Sequence, residues 1–222
     1  MERRQHFQTQ LTEMHHRILQ MGSRVEESLQ KALSAIKTAD RELARQVIEG
    51  DDQIDALQLE IESLCTVLIA TEQPVATDLR EVMVAIKIAS DLERIGDHAR
   101  HLARSLERIS PEFFAETLPI IDEMTHKGIS MVHDSLSAYV DRDTERAQEV
   151  AARDDEIDGL HHRLYQLILK SIREAPDRLE EGTTMIFLNR FLERLGDHVT
   201  NMCEWIVYAS TGEHLELNKR KQ

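Results

Sequence analysis

Cysteine is scarce in this chain: two in 222 residues, Cys65 and Cys203, with no CxxC spacing and at unrelated positions. That excludes a disulfide framework and a cysteine zinc site, and both thiols read as reduced core residues of a cytosolic protein. Eight glycines and four prolines leave no glycine-rich phosphate loop and no low-complexity linker. No apolar run approaches the roughly 20 residues of a transmembrane helix, and the opening MERRQHFQTQ lacks the apolar stretch of a signal peptide. No membrane insertion is expected. Basic charge is also short, with 27 Lys and Arg against 41 Asp and Glu and a net charge of −14. Nucleic acid and anionic lipid are therefore excluded as main partners, because neutralising phosphates takes clustered cations. The tail Lys219, Arg220, Lys221 is too short to change that.

What the chain has in abundance is Leu, Ile, Ala, Glu and Arg, the composition of amphipathic helices. Leu11, Met14, Ile18, Met21, Val25, Leu29, Ala32 and Ile36 recur at helical spacing, as do Leu43 to Leu68 before Gln73 and Pro74, and Leu79 to about Leu106. Ser110 and Pro111 mark a join. The plan then repeats: Met124 to Tyr139 parallels Met21 to Ile36, and Asp154 to Asp158 parallels Asp51 to Asp55, at a constant offset of 103. The offset then falls to 100, a length change placed in the turn at Ala175 and Pro176, where a helical hairpin tolerates it. The expected fold is all-α: two tandem antiparallel three-helix bundles related by internal duplication, residues 1–109 and 110–222, with six helices of about 40 Å at 1.5 Å per residue.

The sharpest repeat is the heptapeptide from Leu92 to His98, which returns as Leu192 to His198. It places Glu93 with Asp97, and Glu193 with Asp197, one turn apart on a helix face. If the flanking helices form antiparallel hairpins about Pro74 and about the Ala175 to Pro176 turn, residues whose numbers add to 148 or to 351 lie level. Asp51 then faces Asp97 and Asp55 faces Glu93; Asp154 faces Asp197 and Asp158 faces Glu193. On helical wheels Glu93 falls within the Leu79, Val82, Ile86 stripe, with Asp97 about 40° away, Asp51 at the edge of its own stripe and Asp55 further round. Four ionised carboxylates at one height repel one another, and a multivalent cation would resolve that. An all-oxygen shell suits Mg, Ca, Mn or Fe, whereas Zn usually takes some His or Cys. Gly96 and Gly196 would let a backbone or an ion approach closely. His98 and His198 point about 100° away from the acids.

Two metal-free readings stand beside this one. Glu, Arg and Asp at such spacing are ordinary salt-bridge material on solvated helices in a chain that is 31% charged. Arg94 and Arg194 could also neutralise a buried carboxylate on a neighbouring helix. A second stripe, Ile88, Leu92, Ile95, Ala99 and Leu102, lies opposite Glu93 and needs cover from a third helix, the other bundle or a second copy of the chain. Phe187, Phe191 and Trp205 are expected in the core.

The doubled heptapeptide, the Asp78, Leu79, Arg80 triplet opening the third helix and the DDQID and DDEID segments together resemble the PhoU family, over essentially the whole chain. The resemblance implies a metal-binding motif at Glu93 with Asp97 and at Glu193 with Asp197, a cytoplasmic homodimer, and no enzymatic activity. It further implies negative regulation of phosphate uptake and of the phosphate-starvation response, through contact with the phosphate-specific ABC transporter and its associated sensor histidine kinase at the membrane's inner face. Asp51, Asp55, Asp154 and Asp158 extend that motif by hairpin geometry alone. The triplet has become Asp177, Arg178, Leu179 in the second half, so if it helps in partner contact the first half would carry more of it. The competing class is a ferritin-like carboxylate-bridged metal oxidase, for which Glu13 with His16 and Glu123 with His126 supply ExxH pairs at non-equivalent places. A purely structural bundle is the third possibility.

Overall fold

The computed structural model describes residues 2–217, with side chains from residue 5 onward; the basic tail at 219–221 lies outside the described residues. Seven α-helices follow one another: α1 Glu2–Thr38, α2 Arg41–Glu72, α3 Ala76–Ser105, α4 Pro111–Asp141, α5 Thr144–Ala152, α6 Asp154–Glu174 and α7 Leu179–Thr211. Among the described residues there is no strand. The ends of the helices follow local chemistry. Asp40 caps α2 by accepting from the backbone N–H groups of Glu42 and Leu43 at 3.0 Å each, Ser110 caps α4 just ahead of Pro111, and Gly212 closes α7 in the left-handed conformation, φ 75°.

The six expected long helices are present among the described residues, with the fifth divided at Arg153 into α5 and α6. The chain tightens there into i to i+3 bonds, from Arg153 N to the Val150 carbonyl and from Glu156 N to the Arg153 carbonyl. The cause is tertiary: the Arg153 guanidinium reaches across to α4, donating to Asp134 Oδ2 at 2.7 Å and to Ser130 Oγ at 3.3 Å. The equivalent stretch of α2 runs straight through Asp51.

Helices α1, α2 and α3 pack as one antiparallel bundle and α4 to α7 as the other, while α3 lies along α7 and α1 along α4. One continuous apolar core joins the halves. The stripe Ile88, Leu92, Ile95, Ala99 and Leu102 is covered within this chain, each residue at most 1% exposed, so it offers no argument for a second copy. Gly22 permits the close crossing of α1 on α4, since a Cβ there would stand 2.1 Å from Leu136 Cδ1. A polar tie joins the halves as well: buried Glu81 on α3 is 3.1 Å from His15 Nε2 on α1 and accepts from Arg142 Nη2 at 2.6 Å. Cys65 and Cys203 are fully buried free thiols, pushed up to about 12 by burial. Phe187 departs from expectation: it is 60% exposed on the flank of α7, while Phe191 and Trp205 are half-buried. Among the described residues no helix is long and apolar enough to cross a membrane.

Candidate functional site

In each half the hairpin brings the eight sequence-derived acids together as two sets of four. Asp51 on α2 senses Asp55 and Asp97, and Glu93 on α3 senses Asp97, Asp55 and Asp51. In the second half Asp154, at the start of α6, senses Asp158, Asp197 and Glu193. Asp51, Asp154 and Glu193 are buried, and Glu93, Asp97, Asp55, Asp158 and Asp197 are half-buried at the rim. The register follows from two antiparallel helices that rise equally per residue about their turn.

The two sets differ in how their charge is met. In the first, Arg100 Nη1 lies 2.8 Å from Asp51 Oδ2 and its other branch pairs with Asp97, while exposed Arg94 reaches Asp97 at 3.3 Å and Glu93 at 3.4 Å. Burial, followed by the opposing effect of Arg100, leaves Asp51 somewhat above the usual aspartate range. Burial and then Asp97 likewise push Glu93 up. In the second set, position 200 holds threonine where the first half has Arg100. Burial first, then Asp158, Asp197 and Glu193, push the Asp154 carboxyl up to about 7. Burial and Asp197 push Glu193 up, against Arg190, whose Nη1 is 3.2 Å from Glu193 Oε1, and against His161.

Gly196 is where the backbone makes room. A Cβ on it would stand 2.0 Å from Asp154 Oδ1, so any side chain there would displace the carboxylate. At Gly96 the nearest atom would be Ile54 Cδ1 at 3.0 Å, with Asp51 Oδ1 at 3.7 Å. A surface recess lined by Arg190, Arg194, Asp197 and Thr200 opens beside the second set.

Among the described residues no three or more His, Cys, Asp or Glu side chains are placed to hold a metal ion as they stand. The donor set of the second half fits a hard cation in its chemistry: carboxylate oxygens packed against a glycine backbone, reached from a recess. The first half fits less well, because the Arg100 guanidinium already lies between Asp51 and Asp97. Of the two arginines considered as neutralisers from the sequence, Arg94 serves the rim of the first set. Arg194 is exposed and lines the recess beside Asp197. Arg100, which sequence reasoning missed, is the main partner; it sits three residues after Asp97, on the same stripe.

His98 and His198 meet at the junction of the halves, ring centres 5.5 Å apart. Burial, then His198, drive His98 down to about 3, so it stays neutral, while His198 Nδ1 is 2.9 Å from Asp91 Oδ1. His101 stacks on Phe191 at 4.4 Å. The ExxH pairs lie apart from both acid sets: Glu13 pairs with Arg17, and His126 bonds within its own turn to Asp122. Arg80 of the triplet turns inward, its Nε donating to the Ala209 carbonyl at 3.4 Å near the end of α7.

The family model of the PhoU domain matches residues 18–109 and 121–206. The chain belongs to the PhoU family. A phosphate-specific transport system accessory protein PhoU homologue from Clostridium acetobutylicum is 39% identical over 213 residues, covering 96% of this chain and 97% of that protein. Another from Zymomonas mobilis is 35% identical, over 89% of this chain and 84% of that one. The crystal structure of the phosphate transport system regulatory protein PhoU from Streptococcus pneumoniae superposes with a TM-score of 0.87 at 32% identity, over 94% of this chain and 99% of that one. PhoU from Pseudomonas aeruginosa gives 0.86 at 32% identity, over 93% and 100%. The tandem three-helix architecture is thus that of solved PhoU proteins.

Proposed function

We propose that this protein is a non-enzymatic negative regulator of phosphate uptake and of the phosphate-starvation response. It acts in the cytoplasm, as a homodimer, by docking on the phosphate-specific ABC transporter and its associated sensor histidine kinase. The reading is supported by near-complete coverage of relatives named as accessory proteins of the phosphate-specific transport system, in a chain with no membrane-spanning helix among its described residues.

The two units, residues 1–109 and 110–222, each present one carboxylate set. Metal ions of the hard class, Mn, Mg, Fe or Ca, are the ligands that such oxygen donors suit, with Zn less favoured. A bound ion would cancel the repulsion among Asp154, Asp158, Glu193 and Asp197 and tie α6 to α7. Asp154 and Glu193 would hold it from the buried side, and Asp158 and Asp197 from the rim.

Deleting the gene tests the regulatory role. Transporter transcripts and phosphate uptake should rise in phosphate-rich medium and fall again when the intact gene is returned. A deletion strain with normal repression would contradict it.

A further inference from the structure

Helices α3 and α7 run antiparallel across the junction of the halves. His101 stacks on Phe191 at one level, ring centres 4.4 Å apart, and Ser110 Oγ donates to Glu181 Oε2 at 2.7 Å at another. Between those levels lies a recess of about 560 Å3, lined by none of the eight motif acids. Its size is that of a small-molecule site.

The two walls differ in character. On the α3 side His101 and Arg104 are three residues apart, and Arg108 follows in the turn where its N–H donates to the Ser105 carbonyl at 3.0 Å. That spacing sets the three side chains on one face, and all three line the recess. Arg104 and Arg108 are exposed and form no ion pair among the described residues, in a chain where 41 acids face 27 Lys and Arg. On the α7 side Phe187 and Phe191, four residues apart, form the apolar wall. Phe191 is half-buried against His101, but Phe187 is 60% exposed. Cations suit the negative end of the α3 dipole. The phenyl ring left uncovered opposite them has no such structural reason, and covering it is favourable.

We propose that this recess binds a purine nucleoside monophosphate, its base stacked on Phe187 and its phosphate held by Arg104 and Arg108. A base stacks on an aromatic side chain through its ring face, and a purine offers the larger face. The stack of His101 on Phe191 closes the recess at the base end. Two guanidinium groups one turn apart present forked donors to the phosphate oxygens. Glu107 and Glu180 line the side away from Phe191 and would repel further phosphates, so one phosphate is preferred to three. Because α3 belongs to the first half and α7 to the second, the bound nucleotide would tie the halves together at their junction. The inference is independent of any ion on the carboxylate sets.

The test uses the full chain and isothermal titration calorimetry with AMP, adenosine, inorganic phosphate and ATP, each titrated alone in metal-free buffer. AMP should bind, and the other three should bind at least tenfold more weakly. Phe187→Ala, and separately Arg104→Gln with Arg108→Gln, should each weaken AMP binding at least tenfold. The three side chains are exposed, so helical circular dichroism and the melting temperature should stay those of wild type. No binding of AMP at low-millimolar concentration, or AMP binding that neither variant weakens, would overturn the inference. Inorganic phosphate or ATP binding as tightly as AMP would overturn it as well.

Discussion

Arg100 on α3 stands 2.8 Å from Asp51 on α2, so the helix that carries the motif acids also carries the charge that opposes the upward push of burial on its neighbour's carboxyl. Removing one partner of such a pair leaves the other buried and uncompensated, which commonly costs more than the pair itself contributes. In metal-free protein Arg100→Gln should therefore lower stability by about 2–3 kcal/mol at pH 8. Adding Asp51→Asn should recover most of the loss. Urea unfolding of the two single variants and the double variant measures the coupling.

The glycines give a graded series. Alanine is favoured over glycine inside helices by about 1 kcal/mol, and nothing lies within 4 Å of a Cβ at Gly50 or Gly159. Gly50→Ala and Gly159→Ala should stabilise by roughly 0.5–1 kcal/mol. Gly96→Ala meets Ile54 at 3.0 Å and should come out near neutral. Gly196→Ala, forced against Asp154 Oδ1, should fall about 2 kcal/mol below the unhindered pair. Thermal melts of the four variants in one buffer give the order.

The pH dependence of the metal-free protein carries a definite sign. Asp154 titrates at about 7 in the folded chain, above its ordinary 3.8. Its contribution is therefore fully present below pH 3.8 and is lost as pH rises through 7, on the order of 3–4 kcal/mol by pH 8. Neutral, buried His98, driven down to about 3, works in the opposite sense below its ordinary 6.5. The clean observable is therefore the difference between wild type and Asp154→Asn. The variant should be the more stable at pH 8, by several degrees in Tm, and the gap should close towards pH 4.

Glu81 makes the contrasting case at the junction of the halves. Burial alone would raise its carboxyl, but the hydrogen bonds from His15 and Arg142 outweigh it and hold the group below the usual glutamate range. Stability from this tie is present at neutral pH and lost as the medium is acidified through the glutamate range. Glu81→Gln should lower the melting temperature at pH 7 and have less effect near pH 4.

Much of this architecture was legible because helical period and hairpin register are local consequences of sequence. The recurrence of Leu79, Val82 and Ile86 up to Glu93 marks one face, and the level pairing of Asp51 with Asp97 needs only equal rise on two antiparallel helices. The break at Arg153 was not legible, because it depends on Asp134 and Ser130 of another helix. The packing of α3 on α7 was hidden for a related reason: the stripe Ile88 to Leu102 shows that it needs cover without naming what covers it. Arg100 was within reach of the sequence, two residues beyond the heptapeptide and three after Asp97, and the contrast with Thr200 shows in the repeat itself. Phe187 stays exposed in a recess between the end of α3 and the first turns of α7, which composition alone does not reveal.

The most direct measurement is elemental analysis of full-length protein purified without chelator. Wild type should carry stoichiometric hard metal, and a folded Glu193→Gln with Asp197→Asn variant should carry little or none. No metal above background in wild type, or unchanged metal in that variant, would contradict the assignment of these carboxylates as an ion site.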